Sequence, residues 1–443
     1  MNRIFGLLPV ASLLIALAAM AQPPASMSDA LLRFDLDLVD RLREARDFDL
    51  AISLLKRLEK RAPDRLVQLR FASAQVRVEQ SASEPDMTQR EKQRRLARAD
   101  LQKMLSGQVS SDIAPEAKLL MAQIDLQLAQ SQLAQVLPLV KQPPNPQSIA
   151  EKDKARKSLA EAGKKLNEAV NDYQKSVGET TGTSAVATVR QARIDRVRLE
   201  LAENEYDQAR TYSTQREADA RAALVKKAQT AFEKISGEED NRPATWVARA
   251  WMGLLYRENG EPQKARIALR PLLLDTRPVT AEAKRMGRYF NMQVIKLDGF
   301  DPTEKPALTP DQSVEQMGLA WLRDYKRFSS TQEASGVRML VVQSILGQLS
   351  KLPKTPANET VRQNRYVQIR QLLREVERND NEFADEARRL KIQILQEQGA
   401  FTRKVEDLKT FDDCFVRAQY ENQQGEEESG KLTDPKASRE ASE

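Results

Sequence analysis

The apolar residues between Ala45 and Asp64 recur every three or four positions, which is the spacing of one face of an α-helix. They are Ala51, Leu55, Leu58 and Ala62. Charged side chains fill the opposite face, and Pro63 ends the helix because its ring cannot continue it. One amphipathic helix of this length cannot bury its own stripe, so the chain must pack such helices against one another.

A second stripe just upstream predicts what this helix packs against. Its residues are Leu31, Phe34, Leu38 and Leu42, which also step by three or four positions. A short turn at Arg46 and Asp47 would join two antiparallel helices, each covering the stripe of the other. Ala51 is small enough to let the two backbones approach closely.

The composition extends this interpretation to the whole chain of 443 residues. Gly contributes only 16 residues, about half of its usual share of ~7%. Ala, Leu, Gln, Glu, Lys and Arg, which favour helices, are abundant, and runs of alternating Val, Ile and Thr are missing. We therefore predict an all-α protein, long enough for two or three domains or for one extended array.

The same helical pattern recurs between Ala248 and Pro278. Leu269 and Leu272 repeat the spacing of Leu55 and Leu58, and the small residues Gly253 and Ala265 would let two helices touch. The residues predicted to pack the two copies are Ala51, Leu55, Leu58 and Pro63 in the first, and Trp251, Gly253, Tyr256, Gly260, Ala265, Leu269 and Leu272 in the second.

These two stretches resemble the tetratricopeptide (TPR) repeat family. The resemblance implies a right-handed stack of antiparallel helix hairpins, an α-solenoid, which binds proteins or peptides on its concave side. The first helices of the hairpins line that side in the family. Leu58 and Leu272 stand where the family usually has Ala, which predicts wider spacing between successive hairpins.

Proline-rich breaks and changes of pattern divide the chain further. A heptad-like rhythm after the break at 141–148 predicts a long helical hairpin in the middle, formed within one chain rather than by a dimeric coiled coil. Further turns of the repeat type are predicted at 204–209 and 399–401. The predicted parts are N-terminal repeats at 28–142 (TPR-like at 32–64), the long hairpin at 148–236, a TPR-like repeat at 241–297, C-terminal repeats at 307–420 and a disordered tail at 421–443.

The first 21 residues have the features of an export signal. A short basic start precedes an apolar run, and Ala19, Met20 and Ala21 form a small-x-small cleavage site. We therefore expect a mature chain that begins at Gln22 and reaches the periplasm or cell envelope of a bacterium. The alternative is that residues 4–21 remain as an anchor in the inner membrane, although Pro9 interrupts the run.

The charge pattern argues against a nucleic-acid partner. Lys and Arg exceed Asp and Glu by only 70 − 64 = 6, and the two signs are interleaved as on solvated helix faces. The richest basic run extends from Arg90 to Asp100. A solvated face is the favoured interpretation of this run, and contact with an anionic surface is the alternative.

The residue types needed for most catalytic sites are missing. The chain has no His and a single Cys, Cys414, so the usual zinc sites and the commonest general base are excluded, as is a disulfide within the chain. No Gly-rich phosphate loop and no nucleophile elbow occur. We expect no catalytic, metal-binding or cofactor-binding residues, although composition alone does not exclude a carboxylate-only enzyme.

Three functions follow in order of preference. The first is an exported, non-catalytic TPR-like scaffold that binds a protein or peptide. The second is a structural envelope component that acts through self-association, and the third is a carboxylate-based helical enzyme. For the scaffold, the helix from Trp246 to Arg257 would line the concave side, and Arg249 and Arg257 have the charge and reach to contact the partner.

Overall fold

The computed structural model describes residues 27–397 except 85, 108, 111–112, 141–144, 179–183, 214, 304–305 and 379–380, together with 414, 417–418 and 421–422. These residues contain fifteen main α-helices and no β-strand, so the all-α prediction is confirmed for them. The predicted signal peptide, the predicted turn at 399–401 and nearly all of the predicted tail lie outside the described residues.

The helices follow one another with short connections. They are α1 (Met27–Glu44), α2 (Phe48–Arg61), α3 (Leu66–Ser83), α4 (Met87–Leu105), α5 (Ala114–Val140), α6 (Pro146–Gly178), α7 (Ser184–Ala209), α8 (Ala218–Ser236), α9 (Pro243–Glu258), α10 (Pro262–Leu274), α11 (Ala281–Asp298), α12 (Pro310–Asp324), α13 (Gln332–Lys351), α14 (Pro356–Glu377) and α15 (Ala384–Glu397). Short 3₁₀ turns lie at Pro63–Arg65, Pro278–Thr280 and Lys326–Phe328.

Each helix packs against the next helix along the chain, and a second set of contacts joins alternate helices. From α3 to α13, every odd-numbered helix also contacts the next odd-numbered helix. From α3 to α13, the odd-numbered helices are the more deeply buried. Eleven of the sixteen residues of α9 are buried, against three of the thirteen of α10. The even-numbered helix α10 therefore presents one broad face to solvent, whereas α9 is enclosed on nearly all sides.

Two connections between successive helices have the same turn geometry, 214 residues apart. Arg46 and Gly260 both adopt a left-handed backbone conformation, with φ of 64° and 75°. The next amide donates to the carbonyl five residues back at 2.8 Å in both turns, from Asp47 to Leu42 and from Glu261 to Tyr256. This bond belongs to the Schellman type of helix ending, which favours Gly at the left-handed position. Arg46 adopts that conformation without the freedom of glycine.

The residues predicted to pack these hairpins lie at equivalent positions. Ala51, Leu55, Leu58, Ala265, Leu269 and Leu272 are all at most 2% exposed. A 3₁₀ turn begins at Pro63 after the first hairpin and at Pro278 after the second. Gly253 lies directly against Leu269, since a Cβ at Gly253 would lie 2.5 Å from the Leu269 Cγ. Only a residue without a side chain allows α9 and α10 to approach this closely.

The stripe expected to bury α1 is mostly wrong, because of its four residues only Leu42 packs against the core. Leu31 and Phe34 are 64% and 67% exposed, and Leu38 is exposed as well. A different face packs inward, with Val39 buried and Leu32 and Leu36 partly buried. Apolar residues occur on both faces of α1, so spacing alone does not choose between them. Arg43 belongs to the inward face, and its Nε donates to Glu79 Oε2 of α3 at 2.9 Å, which holds that face inward.

The turn predicted at 204–209 is also wrong, because α7 continues through these residues to Ala209. The Asn204 side chain donates to the Leu159 carbonyl of α6 at 3.1 Å, a contact between two packed helices. The N-terminus of α12 is stabilised by its own side chains. Thr309 accepts from the Gln312 amide at 3.3 Å, and Gln312 Oε1 accepts from the Thr309 amide at 3.0 Å, which completes a capping box.

Candidate partner-binding site

Buried polar side chains are concentrated on the odd-numbered helices. Of the 25 buried polar or charged residues in the described part of the chain, sixteen lie on odd-numbered helices and six on even-numbered ones. Burying a polar group without a hydrogen bond costs ~1–3 kcal/mol by mutational measurements. The odd-numbered helices therefore require paired polar groups as well as apolar packing where they meet.

A group of side chains on and beside these helices brings together distant parts of the sequence, and we call it the inner polar cluster. It consists of Tyr206 and Asp207 of α7, Arg210 just after α7, Tyr289 of α11, Gln332 of α13 and Glu382 between α14 and α15. Arg210 and Glu382 are 172 positions apart and form an ion pair in which each side chain is less than 15% exposed. This pair connects the middle of the chain to its C-terminal helices.

Arg210 is held between two carboxylates. Its Nη2 donates to Glu382, and its Nη1 lies 3.5 Å from Asp207 Oδ1. Desolvation alone would lower the pKa of Arg210, but the charges of Glu382 and Asp207 outweigh it and raise that pKa. Gln130 of α5 donates to the other oxygen of Asp207 at 3.0 Å. Arg210 therefore remains a cation inside the fold.

Glu382 keeps its negative charge for the same reason. Burial would raise the pKa of its carboxyl group, but Arg210 and a hydrogen bond from Gln332 of α13 hold the pKa below its usual range. The ion pair thus carries full charges in a poorly solvated place, where electrostatic interactions are stronger than in water.

Two tyrosines line the cluster. Burial raises the pKa of Tyr206 and of Tyr289, and the charge of Glu382 acts in the same direction on both. The Tyr206 ring meets Trp251 edge-on, with 5.6 Å between ring centroids. Trp251 in turn donates to Glu203 Oε1 at 3.0 Å, so its polar end is also paired. The cluster thus lies directly beside the aromatic core of α7, α9 and α11.

The structure does not bring the two predicted partner-binding arginines together. Arg257 is 3.0 Å from Glu258 and 3.8 Å from Asp298 of α11, and its charge partly offsets the rise that burial causes in the pKa of Tyr289. It therefore belongs to the surroundings of the inner polar cluster.

Arg249 lies toward α8 instead. It pairs with Asp240 at 2.6 Å, donates to the Ser236 carbonyl and stacks 4.5 Å from the Trp246 ring. Both predicted arginines thus have partners within the chain. Among the residues predicted to pack the hairpins, Trp251 is fully buried and Tyr256 is half-buried beside Lys264 of α10.

The basic run from Arg90 to Asp100 is not uniformly solvated, contrary to the favoured interpretation. Arg90 and Arg94 are only 5% and 4% exposed. Arg94 donates to Ser131 Oγ at 3.1 Å and to the Gln127 carbonyl at 3.2 Å, both on α5. Desolvation, followed by the charge of Arg90, lowers the pKa of Arg94 to about 9. The sequence did not predict that Arg94 would connect α4 to α5.

The exposed side of the same run borders an open groove of about 400 Å³ between α4, α5 and α6. Its charged residues compensate one another. Asp125 pairs with Arg98 and lies 3.7 Å from Lys165, and Lys165 is 2.7 Å from Glu161. The groove therefore offers mixed charge rather than a concentrated site for one kind of ion.

The inner polar cluster was missed by sequence reasoning because no local signal points to it. Arg210 follows a helix in an ordinary charged segment, and Glu382 lies in another such segment 172 positions later. Only the three-dimensional contact identifies the pair. Clusters of buried ionisable groups occur preferentially at functional sites, although structural ion pairs form them too.

Other kinds of site find little support in the described residues. No group of three His, Cys, Asp or Glu there is arranged to hold a metal ion, and Cys414 is exposed. None of the helices described is both long enough and apolar enough to cross a membrane. No model of a known protein family matches the chain, and no curated protein matches it.

Proposed function

We propose that the chain is an exported, non-catalytic, TPR-like scaffold that holds an extended segment of a protein partner in the cell envelope. The observation that carries the proposal is the contact of each odd-numbered helix from α3 to α13 with the next odd-numbered helix. In a right-handed stack of antiparallel hairpins, the first helices of neighbouring hairpins touch in this alternating way. The equivalent turns at Arg46 and Gly260 support a repeated hairpin unit.

The partner would bind on the side of the odd-numbered helices that carries the inner polar cluster, which we call the inner side. An extended peptide offers backbone donors and acceptors, and buried polar side chains can exchange their present partners for these. Arg257 and the inner polar cluster belong to this side, whereas Arg249 lies toward α8. We therefore assign the partner-binding role to Arg257 and Arg210, and no longer to Arg249.

Arg257 and Arg249 give a matched test, because both lie on α9 and both are ion-paired. The full mature chain would be immobilised, cross-linked to envelope proteins and analysed for a discrete partner. We expect Arg257→Ala to weaken capture of that partner, Arg249→Ala to leave it unchanged, and raised salt to weaken it in every variant. Equal capture by the wild type and Arg257→Ala would contradict this location of the binding site.

A structural role through self-association is the second candidate, favoured by the exposed stripe of Leu31, Phe34 and Leu38 on α1. An exposed apolar stripe on a helix can be covered by a second copy of the chain. Light scattering would then detect an oligomer that Phe34→Lys converts to a monomer. Leu50→Lys, which alters a similarly exposed leucine of α2, is the control. A monomer at all concentrations would exclude this role.

A further inference from the structure

Part of the Arg210 guanidinium is ion-paired but makes no hydrogen bond. Glu382 takes the Nη2 group, whereas Nη1 is buried and makes no hydrogen bond. Asp207 Oδ1, which lies 3.5 Å from Nη1, is buried without a hydrogen bond as well. Arginine binds a carboxylate most strongly when two of its nitrogens donate to the two oxygens. The present contact with Glu382 is therefore weaker than the contact that Arg210 can make.

Glu382 reaches this arginine from a short acidic segment. Residues 381–386 read Asn-Glu-Phe-Ala-Asp-Glu and precede or open α15. Asn381 donates to the Val376 carbonyl at 2.7 Å, and its Oδ1 accepts from the Phe383 amide at 2.9 Å. These bonds fix the backbone on either side of Glu382, so that its carboxylate extends toward Arg210 and Gln332.

We propose that Arg210 is the binding site for an acidic side chain in the partner's extended segment, and that Glu382 occupies this site until the partner arrives. The inference rests on the function proposed for the inner polar cluster and adds the chemistry of the ligand. The partner's carboxylate would bind both nitrogens of Arg210, displace Glu382 and release the connection before α15. Glu382 thereby keeps the site closed to ligands that cannot form the stronger contact.

If the pair of Arg210 and Glu382 were purely structural, the expected results would differ. Removing one partner of such a pair would destabilise the fold, because it leaves a buried charge uncompensated. It would not create affinity for an acidic peptide. Peptide affinity therefore separates a binding site from a structural contact, whereas stability alone does not.

The probe is an acetylated, amidated and fluorescently labelled peptide with the chain's own residues 381–388, Asn-Glu-Phe-Ala-Asp-Glu-Ala-Arg. The blocked ends leave only side-chain carboxylates. Fluorescence anisotropy would compare the full wild-type chain with Glu382→Gln. Glu382 acts as an internal competitor, and the apparent affinity for the peptide falls in proportion to the fraction of time that Arg210 is free of it. We expect Glu382→Gln to bind the peptide at least about tenfold more tightly, since a charge-assisted hydrogen bond is lost from the competitor.

Three controls define the result. Asp385→Asn removes an equal charge from the start of α15, where Asp385 is exposed and pairs with Arg388, and it should leave peptide affinity at the wild-type value. Arg210→Gln combined with Glu382→Gln should abolish binding. A peptide with Gln in place of its first Glu should bind weakly to every variant. Equal affinity of wild type and Glu382→Gln would overturn the proposal, as would binding that survives the loss of Arg210.

Hydrogen exchange on the wild-type chain keeps the proposal testable if Glu382→Gln unfolds. Saturating peptide should speed amide exchange in residues 381–390, because Glu382 is displaced from Arg210. Unchanged exchange in this segment would overturn the proposal. The general scaffold function would survive that result if the cross-linked partner still depended on Arg257. If capture of the partner did not depend on Arg257 but the peptide still bound, the scaffold function would be refuted and the carboxylate-binding site at Arg210 would stand.

Discussion

The seam between α9 and α10 allows a prediction worked from two residues. A Cβ at Gly253 would lie 2.5 Å from both Cγ and Cδ2 of Leu269, which is fully buried. Helix propensity alone would make Gly253→Ala stabilising by about 0.8–1.0 kcal/mol. Overpacking a closed seam costs about 1–3 kcal/mol. The net effect should therefore lie between neutral and a loss of about 2 kcal/mol in the free energy of unfolding.

Shortening Leu269 should reverse the effect. Leu269→Ala removes a fully buried side chain and should cost ~2–5 kcal/mol. The cavity it leaves lies where the new methyl group of Gly253→Ala would project. In that background the overpacking term disappears and only the helix-propensity gain of ~1 kcal/mol remains. The two substitutions should thus be coupled by ~1–3 kcal/mol.

The assay is urea unfolding followed by circular dichroism on the wild type, both single variants and the double variant. Gly237→Ala is the matched control, because Gly237 has a negative φ and the nearest atom to its added Cβ is 3.6 Å away. It should change the free energy of unfolding by less than ~0.5 kcal/mol. If Gly253→Ala stabilised both backgrounds by the same amount, α9 and α10 would not meet at this seam, and the packing described here would be refuted.

Other consequences can be checked with standard measurements. Arg46→Gly should raise the melting temperature, because a non-glycine residue in the left-handed region costs ~1–2 kcal/mol. Gly260→Ala should lower it for the same reason, and a lower melting temperature for Arg46→Gly or a higher one for Gly260→Ala would contradict the shared turn. Burial raises the pKa of Tyr289 above its ordinary value of 10.0, so the folded state favours the protonated side chain. This contribution to the free energy of unfolding is fully present below pH 10.0 and is lost as the pH rises through the pKa of the folded state. Urea unfolding from neutral to alkaline pH should therefore show a smaller loss of stability for Tyr289→Phe than for the wild type, and equal losses would place Tyr289 in solvent. Mass spectrometry of the protein from its native host should find Gln22 at the N-terminus; a chain that keeps residues 1–21 in the membrane fraction would support the anchor instead.

The buried face of α2 was predictable because its two faces differ. Charged residues cover one side, and Ala51, Leu55 and Leu58 cover the other, so only one orientation buries apolar area without burying charge. For α1 the same reasoning failed, because apolar residues lie on both sides. The deciding contact was the pair of Arg43 with Glu79, 36 positions away. Local spacing cannot reveal a choice made by a distant partner.

The inner polar cluster could not be predicted from the sequence, for the same physical reason. A charged residue in a sequence is normally read as solvated, and Arg94, Arg210 and Glu382 each have ordinary charged neighbours. Their burial follows from how successive helices stack, which depends on contacts across many residues. The sequence predicted the helical class and the buried positions of Ala51, Leu55, Ala265 and Leu269, whereas the position of the candidate binding site required the fold.

Position-specific photocross-linking tests the central claim, binding on the inner side of the odd-numbered helices, most directly. Benzoylphenylalanine would replace Gln293 of α11, a half-buried neighbour of Tyr289, or Ile267 of α10, which is 73% exposed on the outer side. The account predicts one discrete partner adduct from position 293 and none from position 267 when the folded variants are irradiated with envelope proteins. Adducts confined to position 267, or no adduct from position 293, would contradict it.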